Sequence, residues 1–245
     1  MIAEVAFNIP IERSFHYLVP SALQAAVRPG VRVAAPFGAR ERIGFVVRLP
    51  ERSPVQQLKA IRRVIDPSPV IEDERWDLAS WIAAYYGCSL GEALAAMVPS
   101  DLRVNAGIVE DSPAAAAPEA DGRHVLSPHQ RRALDALTAA LDRARCETIL
   151  LHGVTGSGKT ELYLRAIEHA LGQGRSAIYL VPEIALTPQT IDRVRERFGE
   201  QVAVWHSRLS RRARAEHWSL LAAGRRRIVV GARSAIFAPV KRLGS

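Results

Sequence analysis

The stretch that decides the fold is residues 149–164, which read "ILLHGVTGSGKTELYL". Its centre has the pattern G-x-x-x-x-G-K-T, in which the glycines let successive backbone N–H groups turn toward phosphate oxygens. We expect Lys159 to reach the β and γ phosphates and the Thr160 hydroxyl to ligate Mg²⁺. The stretch therefore predicts a nucleoside triphosphate site formed by Gly153, Val154, Thr155, Gly156, Ser157, Gly158, Lys159 and Thr160.

The chain around this loop alternates short apolar runs with segments of helical periodicity. The predicted strands are residues 148–152, 177–181, 202–205 and 227–230. The predicted helices begin at Pro128, after an N-cap at Ser127, then directly after the loop, at Thr187, and near residue 210. Strands that alternate with helices in this way predict an α/β fold with a parallel sheet covered on both faces.

The first 104 residues have a different rhythm. Five segments rich in β-branched and aromatic residues, punctuated by Pro and Gly, predict a small barrel or compact sheet. They are residues 4–9, 15–19, 30–38, 42–49 and 58–65. Two helices should follow, at 72–87 and at 89–98 with Ser89 as N-cap. Residues 105–124 are rich in Ala and Pro and have little periodicity, so we interpret them as a linker between two domains.

Charge is distributed unevenly along the 245 residues, whose net charge is +8. Residues 1–65 carry 10 basic and 4 acidic side chains, residues 66–124 carry 3 and 11, and residues 125–245 carry 20 and 10. Two basic blocks favour nucleic acid as a partner, although a solvated basic surface is the alternative. No run approaches the ~20 apolar residues of a membrane span, and no leader pattern is present, so we expect a cytoplasmic protein. The two cysteines predict neither a disulfide nor a zinc site.

Polar groups follow three of the predicted strands. Glu183 with residues 187–189, the "WHS" of 205–207, and the "GARSAIF" of 231–237 each come directly after a strand. Because ligands of open α/β sheets collect outside the carboxyl ends of strands, the three groups predict a groove for a second, polymeric ligand. Gln130, about 23 residues before Gly153, could read an adenine edge and select ATP, although a helical Gln is more often solvated.

At this point the sequence resembles a known family. The matching stretches extend from Ile2 to Leu243 and include "FHYLVP", "RVAAPFGARERIGFVV", "LVPEIALTPQT" and "GARSAIFAP". They are similar to the N-terminal portion of the PriA family, the primosomal replication-restart helicases of superfamily 2. The resemblance implies a β-rich domain that binds DNA 3′ ends, followed by a partial RecA-like lobe. It also implies nucleoid association and, as partners, forked DNA, single strands, single-strand DNA-binding protein and other primosome proteins.

In that family the 3′-end pocket uses an aromatic–acidic pair, a Gly after Pro-Phe, and a Lys on a later strand. These positions fall on Phe15 and His16, Gly38, and Lys59. By resemblance, Phe15 stacks on the terminal base, Gly38 lets the backbone approach the sugar, and Lys59 neutralises a phosphate. His16 stands at the position where some members have the acid. Without the resemblance to the family, we would expect Phe15 to lie in the hydrophobic core and Lys59 to be a solvent-exposed strand residue.

In the second domain the resemblance implies that Gln130 belongs to the adenine-reading element. It also implies that residues 183–189 and 231–235 form the single-strand track. Thr187 and Arg233 are the side chains expected on DNA phosphates; Glu183, Gln189 and Ser234 complete the track. Two departures are visible. Many members carry a winged-helix domain where this chain has only the linker, and a family-typical Thr is Ala232 here.

A phosphate-loop hydrolase also needs an acid on a neighbouring strand. In the family this element, Asp-Glu-Glu-His, follows "FAPVKRLG"; it, the second lobe and the zinc-binding cysteines are absent from these 245 residues. The sequence therefore predicts a helicase portion that binds DNA and ATP with Mg²⁺ but does not unwind. Two alternatives remain: an unrelated phosphate-loop kinase or GTPase, and a non-enzymatic DNA-end-binding module with a vestigial loop.

Overall fold

The computed structural model describes residues 1–72, 74–99, 102, 125–206 and 208–243. The chain divides into two compact units, Met1–Ile108 and Val109–Ser245. The proposed linker, residues 105–124, lies outside the described residues. Within the described ranges, no helix is both long enough and apolar enough to cross a bilayer.

The first unit is built on a five-stranded antiparallel sheet with strand order β2-β1-β4-β3-β5. The strands are β1 Ile2–Phe7, β2 Phe15–Leu18, β3 Arg32–Phe37, β4 Arg40–Arg48 and β5 Arg63–Val64. The segment before β5 returns to β2: the Leu18 N–H donates to the Lys59 carbonyl (2.9 Å), and the Ile61 N–H donates to the Leu18 carbonyl (3.0 Å). The sheet therefore curls toward a closed barrel, as the five predicted segments suggested.

The strand predicted over residues 58–65 is shorter than expected, since only Arg63–Val64 forms a ladder. The reason lies in the hydrogen bonds of the residues before it. Ile61 bonds to Leu18 on one side, whereas the Arg62 N–H donates to Ala34 on the other (2.9 Å). A segment that divides its bonds between two neighbours closes the barrel without pairing regularly with either.

Two helices follow the sheet: α1 Glu74–Tyr86 packs against α2 Leu90–Met97, and α2 packs against β1 and β4. Ser89 caps α2 in a capping box with Glu92, which confirms the predicted N-cap. The Ser89 hydroxyl also donates to the Ile9 carbonyl (2.7 Å). A Cβ at Gly91 would lie 1.8 Å from the Phe7 carbonyl oxygen, so α2 meets the end of β1 backbone to backbone.

The second unit contains a three-stranded parallel sheet with strand order β6-β8-β7. Its strands are β6 Ala177–Leu180, β7 Val202–Trp205 and β8 Ile228–Gly231, and its helices are α3 Pro128–Asp142, α4 Lys159–Gly172, α5 Pro188–Phe198 and α6 Arg211–Ala222. Leu164 of α4 and Val194 of α5 pack with Val204 and Val230 on one face. Trp218 of α6 contacts Trp205, which alternates to the other face (ring centroids 6.0 Å apart). Helices cover both faces, as predicted.

The strand predicted at residues 148–152 is wrong. In the described part of this unit the segment joins no strand ladder, and Leu150 is 87% exposed. A strand exists only where a neighbouring strand supplies partners for its backbone groups. The apolar run before the glycine loop has no such partner among the described strands, and apolar periodicity cannot provide one.

Candidate nucleotide and DNA sites

Two glycines of the phosphate loop are required by their backbone conformation. Gly156 and Gly158 have φ values of +80° and +84°, a region that side chains with a Cβ rarely adopt. At Gly153 a Cβ would lie 2.7 Å from Ser157 Oγ, so a side chain there would displace the Ser157 hydroxyl. Gly158 is also the N-cap of α4. The loop thus opens directly into a helix N-terminus, whose first N–H groups have no intrahelical acceptor.

Lys159 is bound to the carbonyl oxygens of its own loop. Its Nζ donates to the Gly153 oxygen (2.5 Å) and to the Val154 oxygen (2.9 Å). An ammonium has three donors, and phosphate oxygens are stronger acceptors for it than neutral carbonyls. Residues 153–156 are exposed. A cation held over an open loop of glycines, at a helix N-terminus, fits a triphosphate.

The Thr160 hydroxyl, expected on Mg²⁺, hydrogen-bonds to the phenol of Tyr179 on β6. Burial raises the pKa of Tyr179, so this phenol stays protonated at neutral pH and can act as a donor. No group of three His, Cys, Asp or Glu side chains forms a metal cluster within the described residues. From these residues, Mg²⁺ would have the Thr160 hydroxyl, phosphate oxygens and water, the oxygen ligands that it prefers. Sequence analysis did not assign a role to Tyr179. Its position, one residue before the end of the strand β6, could have indicated that its phenol lies near the phosphate loop.

Gln130 lies against the phosphate loop. Its Nε2 donates to the Ser157 carbonyl (2.9 Å), and its Oε1 accepts from the Ser127 N–H (2.9 Å). A Cβ at Gly158 would lie 2.5 Å from Nε2, so the amide occupies the space that this glycine leaves. The structure thus places the residue expected to read adenine in direct contact with the residues expected to hold phosphate.

The three polar groups that follow strands lie at one edge of the sheet. Leu180 and Trp205, the last residues of β6 and β7, both pair with Gly231 at the end of β8. Because the strands are parallel, the segments after them leave the sheet side by side. Five of the expected DNA contacts there are exposed: Glu183, Thr187, Gln189, Arg233 and Ser234. Ser207 lies outside the described residues.

Thr187 has a structural role that sequence reasoning did not assign. Its Oγ1 accepts from the Thr190 N–H (3.3 Å) and lies 3.1 Å from the Thr190 hydroxyl, so it is the N-cap of α5. The Thr-Pro pair at 187–188 is a readable signal for such a cap. The side-chain acceptor of Thr187 is already in use. A phosphate at this position would therefore meet the positive N-terminus of α5 as well as a hydroxyl.

In the first unit, Gly38 and Lys59 line one cavity of about 620 Å³, together with Arg40, Arg62 and Glu41. Gly38 has a φ of +59°, and a Cβ built there would meet nothing within 4 Å. Backbone conformation, and not lack of space, therefore accounts for this glycine. Three cations and one carboxylate give the cavity a net positive lining, which suits a phosphate.

Phe15 and His16 point to opposite faces of the sheet, because successive side chains alternate along β2. Phe15 faces the core side, where its ring contacts Phe37 (centroids 5.1 Å apart) and Phe7 (5.8 Å), with the Arg13 guanidinium 5.3 Å from its centre. His16 is paired in register with Glu4 and lies 3.9 Å from its carboxylate. Neither residue belongs to the described lining of the cavity at Gly38. The structure brings Gly38 and Lys59 together but does not bring Phe15 and His16 to the same cavity.

Sequence reasoning missed the group that holds the Gly38 turn. The buried Tyr17 donates its phenol proton to the Pro36 carbonyl (2.9 Å), which links β2 to the end of β3. Phe37, between Pro36 and Gly38, packs on Phe15. The sequence indicates that Tyr17 points inward from a strand and that its buried phenol needs a hydrogen-bond partner. It does not indicate which carbonyl that partner is.

Comparison with known families agrees with this geometry. Residues 4–99 match the family model described as the 3′ DNA-binding domain (3'BD) of PriA. Residues 127–243 match the DEAD/DEAH box helicase model. The class of protein defined by these two matches is a helicase-type phosphate-loop domain preceded by a DNA-binding domain.

Similarity to curated relatives identifies a particular family within this class of protein. The replication restart protein PriA of Treponema pallidum is 44% identical over 247 residues, which cover 98% of this chain and 37% of the relative. That of Haemophilus influenzae is 30% identical over 320 residues, covering 100% and 43%. That of Bacillus subtilis is 52% identical over 119 residues, covering 49% and 15%. The chain belongs to the PriA family and corresponds to its N-terminal portion; it spans about two fifths of the first two relatives.

The alignment lengths differ in an informative way. The Haemophilus alignment is longer than the 245 residues of this chain, so that relative carries additional residues within the matched region. The Treponema alignment spans only 247 residues and includes no comparable addition. The Treponema relative therefore matches nearly the whole chain without an additional segment of that size.

Proposed function

We propose that this chain is the N-terminal part of an ATP-dependent 3′-to-5′ DNA helicase that recognises stalled or abandoned replication forks and initiates primosome assembly. In this proposal residues 1–104 bind the DNA end, and residues 125–245 bind ATP with Mg²⁺ and contact a single strand. Single-strand DNA-binding protein and other primosome proteins are the proposed partners. The proposed location is the cytoplasm, at the nucleoid.

The observation that carries the proposal is the shared sheet edge of the second unit. Strands β6, β8 and β7 end in register at Leu180, Gly231 and Trp205, so the polar segments that follow them leave the same edge. The segments after β6 and β8 carry the exposed residues Glu183, Thr187, Gln189, Arg233 and Ser234. A sheet edge that presents three polar segments suits a polymer that crosses several strands. The match of residues 127–243 to a helicase family argues against the kinase or GTPase alternative.

The residues present define how the bound nucleotide would be held. When bound with Mg²⁺, ATP supplies the phosphoryl group whose hydrolysis drives strand movement. Lys159 would exchange its carbonyl contacts for phosphate oxygens, the N–H groups of the loop and of the start of α4 would bind the same phosphates, and Thr160 would orient the metal. The sequence contains no Asp-Glu-Glu-His element, so we propose that these 245 residues bind both ligands without unwinding.

The proposal is tested with forked DNA. We expect the chain to bind a fork whose leading strand ends in a 3′ hydroxyl, and to bind several-fold more weakly when that end carries a phosphate. Equal binding of the two forks would remove the end-reading part of the proposal. Nucleotide binding without turnover, in the presence or absence of the fork, is expected. Turnover stimulated by the fork would contradict the inactivity proposed for this portion.

The second candidate is a DNA-end-binding module with a vestigial nucleotide loop. The cavity lined by Gly38 and Lys59 favours it, since this cavity belongs to the first unit and does not involve the nucleotide loop. Titration with a fluorescent ATP analogue in the presence of Mg²⁺ separates the two functions. Saturable binding supports the motor portion, and no binding at millimolar analogue supports the module.

A further inference from the structure

Helices α4 and α5 begin at the two loops to which the proposed function assigns different ligands. Helix α4 begins at Lys159 of the phosphate loop, and Glu161 lies in its first turn. Helix α5 begins directly after its N-cap Thr187, in the segment expected to contact DNA. Any change in the position of one helix relative to the other therefore changes the relation between the two loops.

The apolar contact between the helices does not by itself set that position. Leu164 and Ile167 of α4 share a core with Val194 and Phe198 of α5. Apolar burial is non-directional, because it depends on the area removed from water rather than on the alignment of particular atoms. A small slide of α5 along this contact, of the kind that packed helices make in shear movements, would keep the apolar area buried.

Arg197, in the last turn of α5, binds two carboxylates of α4. Its Nε and Nη2 donate to the two oxygens of Glu168 (2.7 and 3.0 Å), and its Nη1 donates to Glu161 Oε2 (2.8 Å). The other oxygen of Glu161 accepts from Arg165 Nε (2.7 Å). A planar guanidinium that makes three such bonds is directional, so it fixes the distance and the angle between the helices.

The ion pairs are largely shielded from water. The side chains of Arg197 and Glu161 are 16% and 11% exposed. Burial raises the pKa of Glu161, but the bonds from Arg165 and Arg197 lower it by more, so the carboxylate stays ionised. Partly buried ion pairs often stabilise a fold no more than apolar side chains of the same size would. Their presence here points to control of position rather than to stability alone.

We propose that the ion pairs of Arg197 with Glu161 and Glu168 transmit nucleotide occupancy of the phosphate loop to α5, and thereby to the DNA-contacting segment at its start. The inference rests on the proposed function, because it assumes that both ligands bind. Glu161 follows Lys159 and Thr160 in the same helical turn, so it moves with them when they engage phosphate. Helix α5 carries that movement as a rod over the about 15 Å from Arg197 to Thr187. Arg197 and Glu161 are thus positioning residues.

The test measures how strongly the bound nucleotide analogue changes the affinity of the chain for DNA. The 245-residue chain is titrated with labelled single-stranded DNA at constant salt, with and without a non-hydrolysable ATP analogue and Mg²⁺. The ratio of the two dissociation constants for DNA is the coupling factor, and linkage requires the same factor when DNA is held constant and the analogue is titrated. For the unaltered chain we expect a factor of about 5 or more.

We expect Arg197→Gln to bring the coupling factor to within about twofold of one, while the affinity for the analogue alone stays within about threefold. Glu161→Gln, which keeps the shape of the side chain, should act in the same way, and Arg197→Lys should give an intermediate factor because a single ammonium cannot make the forked contact. Arg195→Gln is the matched control: it removes one exposed cation from the same helix and should leave the factor unchanged.

A structural role would give a different result. If the ion pairs only stabilised the fold, the variants would melt at lower temperature while the folded protein kept its coupling factor, and that outcome would overturn the inference. A factor of one in the unaltered chain, with both ligands bound, would also overturn it. Failure of the unaltered chain to bind the analogue or the DNA counts instead against the proposed function. If Arg197→Gln does not fold, Glu161→Gln decides the question by the same ratio.

Discussion

The side-chain amide of Gln130 lies between a helix cap and the phosphate loop, 2.9 Å from the carbonyl oxygen of Ser157. The same amide accepts the N–H of Ser127 and so completes the N-terminal capping box of α3. One residue therefore links the start of α3 to the loop that is expected to hold phosphate. Changes at Gln130 should affect helix stability and nucleotide binding separately, according to which half of the amide is lost.

Gln130→Glu should weaken nucleotide binding while it keeps the helix cap. The new carboxylate can still accept from Ser127, but it cannot donate to Ser157 and places two oxygens against each other. Loss of one such bond is worth about 1 kcal/mol, so we expect affinity for a fluorescent ATP analogue to fall about fivefold. Ser127→Ala is the control, which should lower the free energy of unfolding by about 1 kcal/mol and leave affinity unchanged. Unaltered affinity of Gln130→Glu would show that the contact has no role in nucleotide binding.

Lys159→Ala should strongly weaken nucleotide binding and spare DNA binding. The ammonium is the charged donor of the loop, and bonds of this kind contribute about 1.5 to 3 kcal/mol, which corresponds to a loss of about 10- to 100-fold. The carbonyl oxygens that accept from the Lys159 ammonium lie in the phosphate loop. They do not lie in the segments after β6, β7 and β8, where DNA contacts are expected. Titrations with the analogue and with a DNA fork measure the two effects. An equal loss of both would contradict the assignment of Lys159 to the nucleotide.

Lys59→Ala should weaken binding of DNA ends and reduce its dependence on salt. Lys59 lines the cavity at Gly38, and each phosphate contact that is lost removes about one unit from the slope of log affinity against log salt. The slope is measured with forked DNA between low and physiological salt. Arg52→Ala is the control, because Arg52 is an exposed cation of the same unit outside the cavity lining. A slope that falls equally in both variants would indicate a general surface effect.

Stability should decrease as pH falls below 6.5, through His217. Burial, and after it the neighbouring Arg226, whose Nη1 lies 2.6 Å from His217 Nδ1, lower the pKa of His217 from 6.5 to about 4. Between pH 6.5 and about 4 the unfolded chain binds a proton at this residue that the folded chain does not bind. The free energy of unfolding therefore decreases as the pH is lowered through this range. Because the ring is partly exposed, we expect this group to contribute about 1 to 2 kcal/mol.

Urea unfolding of His217→Gln at several pH values checks this prediction. Other groups also titrate in this range, so the comparison is between the variant and the unaltered chain. The variant should lose less stability than the unaltered chain as pH falls from 6.5 to 4. His129→Gln, which changes an exposed histidine of α3, should follow the unaltered chain. Parallel curves for His217→Gln and the unaltered chain would refute the prediction.

Local chemistry made much of this protein predictable. Glycines at 156 and 158 followed by Lys159 specify a phosphate loop, because only glycine adopts the required φ values without strain. Ser89 and Ser127 were readable as helix caps, since a cap depends on residues within three positions of one another. The same holds for the alternation of strands and helices after residue 125, which is a property of neighbouring residues in the chain.

What the sequence alone determined is therefore what short-range contacts decide: the loop, the caps, the order of elements, and the family to which they belong. Only the tertiary structure decided which groups meet across the fold. Among the residues that the structure describes, it left 148–152 without a strand partner and separated His16 from the cavity at Gly38. It also placed Arg197 on Glu161, 36 positions away along the chain. The physical reason is that a strand partner or a salt-bridge partner distant in sequence is chosen by packing of the whole unit, which no local pattern encodes.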